Sequence, residues 1–323
     1  MPIHNLGYRE WEGTRESGAS RWTVVAGVGI RRAWQSAWLR RIAFVVWAPP
    51  LAYGVLIFVF EQVLTNNIQG SGRGMQALVD LLLPAEMAPV AQTTLAGLDG
   101  VDREQMLAAA RPLLWKAVML QLQRSQTIGM VIVVGLLVPS MISQDVRSRA
   151  FLLYFSRPLT RIQYICGKCA TVMCFLLLTC TLPQLLLYIF GVLLSPDISV
   201  VAETWDLPLR TLAASATIIV PTTLLALTLS SLTVETRFAS FGWFAIWIFG
   251  MAAFAVMRNV NGEASELVLR LSFLFLLFSD LSVAIFDVPS LSPHAETQFA
   301  FVVALSLICF AVIYRKVSAP LRA

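Results

Sequence analysis

Charge is what this sequence has least of. Only 13% of its 323 residues are Asp, Glu, Lys or Arg, about half the share of an ordinary soluble domain. Water-facing surface normally carries that charge, so a soluble globular domain is excluded. Histidine is nearly missing too. His4 and His294 are the only two, and no H-E-x-x-H occurs. The five cysteines, Cys166, Cys169, Cys174, Cys180 and Cys309, lie in or beside apolar runs and outline no disulfide framework. Cys166 and Cys169 match C-x-x-C, but zinc would want a second pair or histidines. They read as small apolar residues.

Catalytic motifs are equally absent. The phosphate-cradling loop G-x-x-x-x-G-K-[ST] is missing: the one Gly-Lys pair, Gly167-Lys168, runs into Cys169 with no glycine five residues earlier. G-x-S-x-G does not occur, nor do paired carboxylates within an apolar run. The chain is therefore read as a non-enzyme, with no catalytic, metal-binding or cofactor-binding residues of its own. The first twenty residues carry Glu10, Glu12 and Glu16 and no apolar stretch, so no cleaved signal peptide is expected there.

What the sequence does have is apolar residues in blocks. They make up 57% of the chain, and mean hydropathy is +0.73. A helix needs about 20 mostly apolar residues to cross a bilayer, and lipid forbids unpaired backbone groups. The blocks predict an all-α integral membrane protein of about six spans: 42–60, 127–142 (with room to extend back toward Leu120), 169–194, 209–232, 238–257 and 297–314, one transmembrane domain over 42–314. Pro49, Pro50, Pro139, Pro183 and Pro221 interrupt these runs and predict kinks, or hinges of a moving pathway.

Net charge is +5. No basic stripe is interleaved with exposed aromatics, so nucleic acid is not an expected partner; the basic residues flank apolar blocks instead. With the N-terminus inside, Arg31, Arg32, Arg40 and Arg41 precede the first span. Arg147, Arg149, Arg157, Arg161 and Lys168 follow the second, Arg237 the fourth, and Arg315, Lys316 and Arg322 the last. The positive-inside rule then predicts cytoplasmic tails at 1–22 and 315–323, an extracytoplasmic segment at 61–126, and residence in the plasma or inner cell membrane as a multi-pass protein. The stretch 267–286 is long enough to span. A seventh span would put Arg315 and Lys316 on the wrong side and bury Asp280 at about 2.5–3.5 kcal/mol. A re-entrant pair of short helices, broken near Ser279-Asp280, meets both objections.

Two amphipathic stretches lie outside the spans. Ile30, Ala33, Trp34, Ala37 and Trp38 recur at helical spacing, which predicts one interfacial helix over 23–41. In 61–126, the run from Gln69 to Gly74 is glycine-rich. Asp102-x-x-Gln105 then signals a helix start leading toward span two.

The loop between spans two and three is the informative stretch. It begins acidic-basic at Asp145, Arg147 and Arg149 and has an apolar middle at Phe151, Leu152 and Phe155. It turns at Arg157-Pro158, where proline biases the preceding residue away from helix. It ends on Arg161, Tyr164, Gly167 and Lys168 at the entry to the third span. A plain connector accounts for the arginines but not for the apolar centre.

This pattern resembles the permease subunit of a type-2 ABC exporter. The resemblance rests on Asp145, Arg147, the apolar stretch, Ser156-Arg157-Pro158-Leu159-Thr160-Arg161, Tyr164 and Gly167-Lys168. The interfacial helix, six spans and re-entrant segment share the general plan; the long outer segment 61–126 departs from the simplest members. The resemblance implies that the loop docks a separate cytoplasmic ATPase subunit, which holds the ATP and Mg. It also implies that a second permease copy or paralogue completes a dimer in the lipid bilayer. Two other readings stay open: a membrane anchor or assembly protein, and an ion-gradient-driven transporter. The latter would place charged groups in broken helices near the midplane, and the predicted spans have essentially none. The cargo is not legible.

Overall fold

The computed structural model describes residues 20–66, 103–150, 154, 159–195, 199–257, 268, 270–271, 273–288 and 294–318; for 60–66, 103–110 and 199 this covers the backbone only. Among the described residues all regular structure is helical. In order these are α1 (Arg21–Trp34), α2 (Ala37–Val45), α3 (Ala48–Asn66), α4 (Arg103–Leu137), α5 (Pro139–Arg147), α6 (Arg161–Leu176) and α7 (Leu182–Leu194). They continue with α8 (Ser199–Thr204), α9 (Leu207–Leu232), α10 (Thr236–Met257), α11 (Leu274–Ile285) and α12 (Ala295–Ser318).

Six helical stretches are long and apolar enough to cross a membrane: Ala37–Val59, Arg111–Arg147, Arg161–Leu194, Val200–Leu232, Thr236–Met257 and Ala295–Ser318. The protein is an all-α multi-pass membrane protein. Each predicted span coincides with one of these stretches, but several observed helices are longer. Arg161–Leu194 has 34 residues, roughly 51 Å at about 1.5 Å per residue. A hydrocarbon core is about 30 Å thick, so this helix reaches well beyond it. The second, third and fourth spans are 50–61% buried and form the centre. The first, fifth and last are 17–22% buried and form the rim, their apolar faces open to lipid.

Three breaks have physical causes. Pro49 and Pro50 sit in the first turn of α3, where a missing N–H is harmless. At Pro139 the α4–α5 helix bends because Ser230 of α9 inserts into its ladder. The Ser230 hydroxyl donates to Pro139 O at 2.9 Å and accepts from the backbone N–H of Ile142 and Ser143 at 3.0 and 3.2 Å. Between α6 and α7, Leu177–Thr181 widens into a π-helical turn. Pro183 has no N–H for Thr179 O, four residues back. Leu182 N–H bonds to Leu177 O, five back, and Gln126 Nε2 reaches Thr179 O from α4 at 3.5 Å.

The predicted single helix over 23–41 is two. α1 stops at Trp34, and Ser36 caps α2 by accepting from Leu39 N–H at 3.4 Å. Ala37 and Trp38 therefore belong to the first span. The third span starts earlier than predicted, at Arg161 rather than near Gly167-Lys168. Thr160 and Gln163 form a reciprocal capping box there. The predicted break at Ser279-Asp280 is also displaced. α11 runs unbroken through both, and the break falls at Phe273, which is extended. At its 12 residues, α11 is too short to span. The second span is the end of a helix that runs from Arg103, so the last part of segment 61–126 leads directly into it. Asp102 and the glycine-rich run lie outside the described residues.

α9 is the hub, buried along its length from Leu207 to Ser231 and packed on α4, α5, α6, α10, α11 and α12. One apolar core surrounds Tyr164, Phe175, Trp243 and Phe278; a second surrounds Trp115, Leu187 and Phe286. The first core marks what we call the near end, with α1, α5 and Ser318. The second marks the far end, with Glu203 and Asp287. At the far end α4 approaches α7 so closely that a Cβ on Gly191 would meet the Trp115 ring.

Candidate functional site

The near end is organised by one carboxylate. Asp145, in the last turn of α5, is buried at 6% exposure. Tyr164 and Lys168 are one turn apart on α6, so both face it. The Tyr164 hydroxyl donates to Asp145 Oδ2 at 2.7 Å, and Lys168 Nζ lies 2.7 Å from the same oxygen. Lys168 also donates to Met141 O at 2.8 Å and stands 5.3 Å from the Tyr164 ring centroid. A buried ion pair is tolerable when further hydrogen bonds support it, and here the Tyr164 hydroxyl and Met141 O supply two. It locks the end of α5 to the start of α6, the two stems of the intervening loop. Tyr154, from the loop, places its ring 5.6 Å from that of Tyr164. Burial raises the Tyr154 phenol above its ordinary value; Asp145 pushes it the same way and Arg32 opposes both.

α1 is fastened to the same place. It runs alongside α6, with Val25 against Gly167 and Gly29 against Thr171. A Cβ on Gly167 would lie 2.6 Å from Val25 Cβ and 2.9 Å from the Trp22 carbonyl, and one on Gly29 would lie 2.5 Å from Thr171 Oγ1. The single Thr171 hydroxyl proton is shared between Gly167 O at 3.0 Å and Ala26 O at 3.3 Å. Arg32 donates to Gln144 Oε1 of α5 at 2.6 Å. Trp34 stacks on Phe175.

The interior holds polar groups that sequence reasoning missed. Gln184 of α7 is fully buried and donates through Nε2 to Gln123 and to Gln126 Oε1 of α4, the latter at 2.6 Å. Arg124 donates to Ser279 Oγ at 2.7 Å. Asp280 accepts from Arg270 at 2.9 Å and from Gln298 Nε2 of the last span at 2.9 Å. These contacts tie α11 to two spans. Its C-terminal carbonyl, Ile285 O, accepts from Arg210 at 2.7 Å, where a cation suits the helix dipole. The helix of span two carries Lys116 and Arg124, because it starts earlier than the apolar run suggested.

The structure divides the twelve predicted docking residues. Asp145, Tyr164, Gly167 and Lys168 are internal and hold the loop's stems instead of facing outward. Arg147 and Arg149 are exposed. Arg147 pairs loosely with Glu235 at 3.5 Å. Arg149 adopts positive φ, 52°, just past the end of α5, so the chain turns sharply away there. Arg161 is half-buried and donates to Ser318 Oγ of the last span at 3.1 Å. Phe151, Leu152, Phe155, Arg157 and Pro158 lie outside the described residues.

The comparisons were negative. No protein-family model matches the chain, and no curated protein matches it. Among the described residues, no three His, Cys, Asp or Glu side chains gather closely enough to hold an ion. Cys166 and Cys169 are free thiols one turn apart on α6.

Proposed function

We propose that the chain is the membrane-spanning permease subunit of an ATP-driven exporter, working with a separate cytoplasmic ATPase. The loop between α5 and α6 is the docking surface. The observation that carries this reading is the Asp145–Tyr164–Lys168 clamp. A loop that only joins two spans has no need of a buried, hydrogen-bonded ion pair beneath it. A loop that receives force does, because its stems must move as one body. With exposed Arg147 and Arg149 outside and α1 strapped alongside, motion imposed on the loop would pass into spans two and three as a rigid-body shift. In this reading the near end faces the cytoplasm, two permease copies pair, and ATP and Mg act only in the partner subunit.

The test is the double substitution of Phe151 and Phe155 to Ala, which leaves every charge in place. Aromatic anchors dominate protein interfaces, and losing one can cost about 2 kcal/mol or more. Membrane insertion should persist while co-purification of an ATPase falls at least tenfold. Unchanged complex formation at wild-type membrane levels would return the loop to a charged connector.

A second reading has its own support. Arg124–Ser279 and the Asp280–Arg270–Gln298 group are part-buried or buried polar contacts around a short apolar helix, and gradient-driven carriers place their ion sites among such groups. Transport that survives ATP depletion but collapses with the proton or sodium gradient would favour it.

A further inference from the structure

α1 rests on α6 through Val25, Ala26 and Gly29. Gly27, Ile30, Arg31 and Trp34 fall at turn spacing on the flank beyond that contact. With Gln35 and Arg40 they wall a cavity of about 430 Å³, within the range of small-ligand sites. All six belong to α1, α2 and the link between them, so the cavity lies at the corner where the chain turns from α1 into the first span. Its floor is open at Gly27. A Cβ there would meet nothing within 4 Å, whereas Gly29, two residues on, is explained by its close approach to Thr171. A glycine inside a helix weakens it, and packing gives no reason for this one; what it does is keep the cavity clear. The walls are cationic and apolar. No acidic side chain lines the cavity, and among the described residues neither Arg31 nor Arg40 pairs with a carboxylate. Arg40 donates to Trp34 O at 3.3 Å. That contact brings its guanidinium back to the last turn of α1, the turn that carries Arg31. Trp34 gives one ring face to Phe175 and stays 45% exposed.

We propose that this corner binds an anionic phospholipid, with its headgroup between Arg31 and Arg40 and an acyl tail leading away along α2. Two cations without a carboxylate argue for an anion. The path open to a tail argues for a lipid over a soluble anion. Phe44, one turn beyond Arg40 on the same face of α2, is 82% exposed, and α2 opens the first span. Trp34 and Trp38 are exposed on either side of the link, as in the aromatic belt at a membrane surface. The headgroup thus sits at the interface and the tail in the hydrocarbon. The proposal needs only the membrane setting and stands whether or not the chain is a permease.

The experiment uses the full chain in detergent with phosphatidylglycerol and phosphatidylcholine of matched chains at equal amounts, and native mass spectrometry to count retained lipids. Phosphatidylglycerol should be enriched over phosphatidylcholine. The enrichment should drop about fivefold for each of Arg31→Gln and Arg40→Gln. Gly27→Leu keeps every charge but fills the cavity floor. It should abolish the enrichment while the melting point holds or rises, because leucine is the better helix former. Arg41→Gln removes a neighbouring charge that lies over Trp38 and does not line the cavity, and should change nothing. Equal retention of the two lipids overturns the proposal. So does wild-type enrichment in Gly27→Leu, or a loss in Arg41→Gln equal to that in Arg40→Gln, which would reduce the effect to general surface charge. Displacement of the lipid by inorganic phosphate at equal concentration overturns it as well, in favour of a free-anion site.

Discussion

Lys168 and Asp145 meet at 2.7 Å inside the protein, one from the second turn of α6 and the other from the last turn of α5. The 22 intervening residues are a loop and its stems, so this contact closes the loop at its base. Breaking a buried pair by removing one partner typically costs about 3–5 kcal/mol, whereas replacing both with apolar residues is often nearly neutral. Lys168→Met should lower thermal stability sharply in detergent, and adding Asp145→Leu should restore more than half of the loss. Equal instability in the single and double variants would show that the pair's charges are not coupled.

The two glycines of the α1–α6 contact should differ in whether they can be rescued. At Gly29 the added Cβ meets only the Thr171 side chain; at Gly167 it meets the Trp22 backbone carbonyl as well. Overpacking of this kind costs about 1–3 kcal/mol. Hydrogen exchange over residues 21–34 should accelerate in both Gly29→Ala and Gly167→Ala. Adding Thr171→Ala should slow it again for Gly29→Ala and leave Gly167→Ala fast. Protection at wild-type level in Gly167→Ala would mean α1 is not held by this close approach.

Gln126 and Pro183 should be energetically coupled. Gln126 reaches Thr179 O, the carbonyl that Pro183 cannot serve. Interhelical hydrogen bonds in membranes average roughly 0.6 kcal/mol, up to about 1.7. Gln126→Leu loses the bond from Gln184 as well, so it should destabilise the protein by more than that amount, and by clearly less in a Pro183→Ala background, where an N–H is restored. A double-mutant cycle of melting temperatures with purely additive effects would sink this account of the π turn.

Tyr154 offers a pH signature of the loop. Its phenol is raised by burial and by Asp145, and held back by Arg32. The neutral form is thus the one the fold favours. The stability it contributes is complete below the unfolded tyrosine value of about 10 and is lost as pH rises through the higher folded value. Difference absorbance of wild type against Tyr154→Phe should show phenolate appearing above the ordinary range, and later still in Arg32→Gln. Titration at or below the ordinary value would place Tyr154 in solvent.

The six spans were legible because hydropathy is a sum over about twenty residues and tolerates single exceptions. The same averaging hid the interior. Gln123, Gln126 and Gln184 each register as one polar dip, and their meeting joins positions 61 and 58 residues apart, which no local pattern encodes. Helix ends failed for the opposite reason: they are set by single side chains. Ser36 caps α2 at Leu39, and Thr160 pairs with Gln163, whereas the sequence reading followed the periodicity around Trp34–Trp38 and the Gly167-Lys168 pair. Of the loop residues, Asp145, Tyr164 and Lys168 meet in the structure. The loop's division into stems and surface was not foreseeable, since it depends on Asp145 turning inward to two groups on the next helix.

The α1–α6 contact also carries a consequence in time. The Thr171 hydroxyl that holds Ala26 lies 145 residues downstream of it. At synthesis rates of about 5–20 residues per second, α1 waits roughly 7–30 s for its partner. In that interval its glycine face has nothing to pack on, and the exposed Trp22, Val24 and Val28 are what can keep it on the bilayer surface. A chain stopped before α6 would display that bare face permanently, a mark by which quality control could recognise incomplete copies.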